Sequence, residues 1–229
     1  MALSYDSFGV RRVDIEAKIW PEFDRFLPGQ LSKLLGVLND DDAFTSVDLE
    51  PESGLRLEGE QWIYDLSLSS IELRSKGFSE PQAASPRIRS LLEATRGFFT
   101  RGTHQIAFFT SEIRVLGSVP DDRNRNVGDV VLRKLLRGIN QEDRDLLPGL
   151  TGAGLRLIGD AEDGYHWHAS IEPPHGRYES LGLWAQLMFP PPDSPPRPGP
   201  DLNTIIEQVG MGYNLVSGGL KTFASKLFT

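Results

Sequence analysis

The order of apolar patterning repeats itself within this chain of 229 residues, and that constrains the fold more than any single motif. Gln30-Leu31-Ser32-Lys33-Leu34-Leu35-Gly36-Val37-Leu38 lies over Val131-Leu132-Arg133-Lys134-Leu135-Leu136-Arg137-Gly138-Ile139. Gly54-Leu55-Arg56-Leu57 returns as Gly154-Leu155-Arg156-Leu157, and Leu91-Leu92-Glu93 corresponds to Ile205-Ile206-Glu207. The three matches keep their order, and each falls in the same kind of element. A unit repeated in this way buries its apolar face against its copy.

The elements follow from periodicity. Val13–Ile19 alternates apolar and charged residues, as a strand with one buried face does, and Pro21 ends it. Leu31, Leu34, Leu35 and Leu38 recur at helical spacing. Strands are expected around Ser46–Leu49, Gly54–Glu60 and Gln61–Leu73. A helix is expected to open at Ser85-Pro86, a capping residue before a first-turn proline, and to carry Ile88, Leu91, Leu92 and Phe98. The second half reads alike: a strand at Ile113–Val119, a helical stripe at Leu132, Leu135, Leu136 and Ile139, then strands from Gly154, at Tyr165–Ile171 and at Leu181–Phe189. Pro190–Pro200 is too rich in proline for a helix or a central strand, and is expected to be an exposed connector. A helix starts at Asp201 with Leu202, Ile205, Ile206 and Val209, and the tail to Phe228 has apolar residues at roughly helical spacing interrupted by Gly218-Gly219, so it is expected to continue that helix past a break. The expected fold is α+β: two tandem diverged strand–helix–strands–helix repeats, residues 1–102 and 103–229. They would form a pseudo-twofold antiparallel sheet scaffold with helices on one side.

Composition removes several function classes. The chain has no cysteine, so disulfides, thiol nucleophiles and zinc-thiolate sites are excluded. A net charge of −8 speaks against a nucleic-acid partner, which needs a basic face. Arg123, Arg125, Arg133, Lys134 and Arg137 read as a solvated helix face. No run approaches the ~18 apolar residues of a membrane span, and the first residues carry no secretory pattern, so a cytoplasmic location is expected. No Walker-type loop, Gly-x-Ser-x-Gly elbow or dinucleotide fingerprint occurs. The acidic clusters Asp40-Asp41-Asp42 and Asp121-Asp122 fit turn and capping chemistry.

One pattern invites chemistry. His166-Trp167-His168 with Glu172 and the nearby His175 forms His-x-His-x-x-x-Glu. Residues two apart on a strand share a face, so His166 and His168 could hold zinc, iron or manganese. The spacing resembles the first metal motif of cupins, with Gly159 near that motif's glycine. The second cupin motif is missing, since no histidine follows His175, and cupins are nearly all strand. Laying Trp62–Leu68 over Tyr165–Ile171 puts both histidines opposite the core stripe and makes them private to the second copy. Arg56 and Arg156, at equivalent strand positions, and Trp184 are candidate binding residues. The two arginines read first as a shared structural device, an ion pair or an Arg stacked across the sheet; a symmetric anion site at the pseudo-twofold axis is the sharper reading of that pair.

The early alternating strand Val13–Pro21, the Gly154-Leu155-Arg156-Leu157 strand and the closing helix from Ile205-Ile206-Glu207 to Phe228 resemble those of an uncharacterised, sporadically distributed bacterial family of tandem α+β repeat proteins. That resemblance implies a bacterial source and a mobile or defence-linked context, and assigns no functional residue. The resulting expectation is a non-enzymatic binding protein without a cofactor: a subunit, adaptor or immunity-type partner that meets another protein or its own copy. The rival is a metal-dependent enzyme built on His166, His168, Glu172 and His175.

Overall fold

The computed structural model describes residues 3–27, 29–39, 44–50, 54–78, 80–100, 107–121, 127–137, 153–161, 164–173, 179–189 and 201–228. Nine strands form one sheet: β1 (Gly9–Trp20), β2 (Phe44–Glu50), β3 (Gly54–Gly59), β4 (Trp62–Ser67), β5 (Ser70–Ser75), β6 (Ala107–Pro120), β7 (Leu155–Ala161), β8 (Tyr165–Glu172) and β9 (Ser180–Phe189). Their spatial order is β2-β3-β4-β5-β1-β6-β9-β8-β7, and every pairing is antiparallel. Among the described residues the α-helices are α1 (Gln30–Leu38), α2 (Pro81–Thr100), α3 (Val127–Leu135), α4 (Leu202–Asn214) and α5 (Lys221–Phe228). The expected mixture of helix and antiparallel strand is present. The long strands β1 and β6 pair at the centre, so the sheet runs unbroken across the two halves.

Alternation explains which face the helices cover. Val13, Ile15, Ala17 and Ile19 of β1 are buried, as are Ile113, Val115 and Val119 of β6 and Leu181, Leu183, Ala185 and Leu187 of β9. These join Tyr64, Leu66, Ile71 and Leu73 in one core with Ile88, Leu91 and Phe99 of α2 and Ile205 and Val209 of α4. Burying each of the larger aliphatic and Phe side chains contributes about 1.5–3 kcal/mol. A bulge between Val10 and Arg12 absorbs one residue and lets Val10 be buried despite its even position.

Four expectations change. The single strand read over Gln61–Leu73 is a hairpin, β4 and β5. Its apolar stripe sits on even positions to Leu66 and on odd positions from Ile71, and a strand cannot switch faces without a turn. The Ser67 hydroxyl makes that turn by accepting from Ser70 N–H at 3.0 Å and Ser69 N–H at 3.3 Å. Next, α2 starts at Pro81, with Pro86 inside it; Ser85 Oγ donates back to the Pro81 carbonyl at 2.6 Å instead of capping the helix. Third, α3 begins earlier than its leucine stripe suggested, burying Val127 and Val131; Ile139 lies outside the described residues. Last, Gly218-Gly219 does not break the final helix. Leu215–Leu220 is π-helical and joins α4 to α5. Val216, Leu220, Ala224 and Phe228 are all buried. Such an i,i+4 series drifts by about 40° per step on an α-helix, and the π turn's extra residue takes up part of that drift. Asp201 caps α4 as its position suggested, accepting from Thr204 N–H at 2.7 Å, and these hydrogen bonds hold its carboxyl below the usual aspartate range.

One buried relay ties α2 to the sheet. Thr95 Oγ1 donates to the Leu91 carbonyl at 2.8 Å, so its single proton is committed. The Tyr64 hydroxyl, 2.9 Å away, must therefore be the donor to Thr95, and burial raises its pKa well above the tyrosine range. Thr95→Val would strand a buried donor and cost about 2 kcal/mol, whereas Tyr64→Phe removes that donor and would cost about 1 kcal/mol. Denaturant titration of both variants checks the order. Adding Tyr64→Phe to Thr95→Val is expected to recover stability.

Candidate binding face

The sheet face turned away from the helices holds every candidate site residue that is described. Its two halves differ in chemistry. On β1, β3, β4, β5 and the middle of β6, the outward side chains form a charge ladder. Arg56 pairs with Asp65 at 3.0 Å and Arg74 with Glu72 at 2.9 Å. Arg114 reaches Glu16 at 3.0 Å and also pairs with Glu112. Arg12–Asp14, Lys18–Glu16 and Lys76–Glu58 complete it. Positive and negative groups balance, so this half presents little net field. Each exposed pair contributes only ~0–1 kcal/mol. Burial raises the Asp65 carboxyl pKa despite Arg56, while Lys76 lowers that of Glu58.

Beyond β6 the ladder stops. Register sets Leu116, Trp184, Ser170 and Arg156 side by side across β6, β9, β8 and β7. With Gly182, Glu172 and Pro173 they line a groove of about 840 Å³. Trp184 is half-buried and Arg156 is exposed. Ser170 Oγ donates to Glu172 at 2.9 Å. Arg156 has no ion pair or hydrogen bond among the described residues. Arg56 differs because Asp65 stands opposite it, where Arg156 faces Ser170. β3 and β7 are seven strand spacings apart in the sheet, roughly 33 Å at ~4.8 Å each. The two arginines therefore share no anion site.

Further along the same face, Asp160, His166 and Met188 form one register row, and Ile158, His168 and Gln186 the next. Asp160 Oδ1 lies 2.7 Å from His166 Nδ1, and His166 Nε2 lies 2.9 Å from His168 Nε2. A carboxylate can only accept, so His166 carries its proton on Nδ1 and its Nε2 lone pair is free when the ring is neutral. His168 then donates Nε2–H to it. Burial, then His166, then Arg156 lower the His168 pKa, which favours the neutral ring at pH 7.

The metal set read from the sequence is thus divided. His166 and His168 meet. Glu172 shares their face but sits four positions beyond His168, roughly 13 Å along a strand rising ~3.3 Å per residue, and is engaged by Ser170. His175 lies outside the described residues, as does the connector Pro190–Pro200. Among the described residues no three His, Cys, Asp or Glu side chains form a metal-holding group. Gly159 also has a local explanation. It pairs with Trp167, and a Cβ there would lie 2.6 Å from the indole. Leu116 and Asp160 are among the site residues that escaped the sequence reading. Leu116 had a signal: it is apolar but out of phase with the odd-numbered core stripe Ile113, Val115 and Val119. Trp184 is out of phase with Leu181, Leu183, Ala185 and Leu187 in the same way. Comparison with protein-family models found no match, and neither did comparison with curated proteins.

Proposed function

We propose that the chain is a non-enzymatic interaction protein that docks a protein partner on the outward face of its second half. In this reading it is two diverged copies of one unit related by a pseudo-twofold between β1 and β6. Support comes from the strand order, in which β5-β4-β3 leads away from β1 as β9-β8-β7 leads away from β6. Support also comes from register. Leu55 pairs with Leu66, and Leu155 with Ile171. Relative to the sequence overlay this is a slip of two residues, which preserves the face of every side chain.

The observation that carries the function is the change of chemistry between equivalent faces. Where the first copy pairs Arg56 with Asp65, the second leaves Arg156 without an ion pair among the described residues, on the register row of Trp184 and Leu116. Arg and Trp are the residue types most enriched at binding hot spots. The unneutralised guanidinium selects a partner segment that brings a carboxylate to Arg156 and an apolar side chain to Trp184. Nucleic acid suits the face poorly, because six of its other cations already hold carboxylates. No helix among the described residues is long and apolar enough to cross a membrane. The chain would serve as a cytoplasmic subunit, adaptor or immunity-type partner in a bacterial, defence-linked assembly, in line with the family resemblance.

Purification of the tagged chain from its native cells tests this reading. A co-purifying protein that is lost when Trp184 and Arg156 are replaced is the expected result. A bare monomer, or a partner retained by that variant, would overturn it.

A further inference from the structure

We infer that His166 and His168 form a bidentate site for a divalent transition metal of tetragonal preference, copper(II) or nickel(II), with Asp160 orienting the first ligand. This goes beyond protein docking and uses different residues. Three observations carry it. The side chains at 166 and 168 project from one face of β8, and their Nε2 atoms come within 2.9 Å of each other. Asp160, reached from the neighbouring strand, holds His166 through Nδ1 at 2.7 Å. That is the carboxylate–histidine arrangement that fixes a metal ligand's tautomer and raises its basicity. The site lies on the open face, where Met188 and Gln186 stand next to the histidines in the register.

As the rings stand, the separation of the nitrogens matches a right-angled bite. With metal–nitrogen bonds of about 2.05 Å, a 2.9 Å separation subtends about 90° at the metal. A tetrahedral angle would need about 3.3 Å. Right-angled imidazole pairs suit square-planar or tetragonal ions. Binding costs no net proton when both rings are neutral: His168 moves its hydrogen from Nε2 to Nδ1, and both Nε2 lone pairs turn to the metal. The remaining positions take water or a donor from a bound molecule.

The test uses the full chain, stripped with a chelator and titrated with copper(II) in a non-coordinating buffer. One equivalent should bind, with an electron paramagnetic resonance spectrum of tetragonal copper carrying two equatorial imidazole nitrogens. His166→Gln and His168→Gln should each weaken binding at least tenfold. Asp160→Asn, which keeps both ligands, should weaken it about tenfold. His104→Gln and His175→Gln should leave it unchanged. The inference is overturned if the His166→Gln/His168→Gln double variant binds like the parent, or if loss of His104 or His175 alone abolishes the site. A spectrum with no imidazole nitrogen on the wild-type chain would overturn it as well, and that readout needs no variant to fold.

Discussion

Gly54→Ala is expected to lower the stability of this protein by about 3–5 kcal/mol, a drop of roughly 10 °C in Tm for a chain of this size. Gly54 opens β3 and pairs with Glu50 on one side and Ser67 on the other. Its φ of +145° belongs to the region that favours glycine, which alone costs an alanine about 1–3 kcal/mol. The larger problem is space. A Cβ there would fall 1.8 Å from the Leu66 carbonyl oxygen, and that oxygen belongs to the backbone of β4, which cannot rotate away. Either β3 separates from β4 at this end or the backbone at Gly54 is rebuilt. Gly154, the matching position in the second half, faces a milder conflict. A Cβ there would meet Glu172, 2.6 Å from its Cβ and 2.9 Å from Oε2. Glu172 is exposed and close to the end of β8, so a small shift relieves the clash at about 1–2 kcal/mol. Thermal melts of the two variants separate these accounts. Equal losses would mean that both glycines merely lack a side chain, and tolerance of Gly54→Ala would refute the close approach.

The same two positions mark how far the sequence could be read. Val13–Ile19 and Tyr165–Ile171 were legible because one face is apolar and the other polar, and a period of two has no helical reading. The placement of His166 and His168 opposite the core stripe followed from the same alternation. The strand order was not legible. Nothing local to Leu181–Phe189 says that it lies between β6 and β8, yet only that insertion sets Trp184 between Leu116 and Ser170. Asp160 was missed for a related reason. Its meeting with His166 depends on the register of the β7–β8 hairpin, which turn geometry sets and composition does not reveal. The reach of Glu172 was misjudged because closeness along a strand is not closeness in space: each residue adds ~3.3 Å. The α2 start was misread because two prolines, Pro81 and Pro86, both suit an early helical turn, and Ser85 can bond backwards as readily as it can cap.

Replacing Trp184 by alanine and Arg156 by glutamate together is expected to weaken a docked protein partner at least a hundredfold while leaving the fold in place. Trp184 is half-buried and lines the groove across the Leu116–Arg156 row, so truncating it removes a broad apolar contact worth about 2 kcal/mol to a partner. Arg156→Glu reverses the one guanidinium on that row without an internal carboxylate, which adds repulsion toward an acidic partner group. At about 1.4 kcal/mol per tenfold, two effects of ~2 kcal/mol would reach a thousandfold if independent. The side chains flank Ser170 and would meet the same partner segment, so their sum is expected to fall short of that. Arg156 is exposed, so Arg156→Ala alone should lose part of its effect as salt rises, whereas the loss in Trp184→Ala should hardly depend on salt. Arg56→Ala is the internal control. It removes the equivalent arginine of the first half, breaks only the Arg56–Asp65 pair and should shift stability by no more than ~1 kcal/mol, with no change in partner affinity. Calorimetry with the partner that co-purifies with the wild-type chain reads all four variants. If Arg56→Ala weakened binding as much as Arg156→Ala, docking would span both halves, and the charge ladder would belong to the binding face as fully as the groove does.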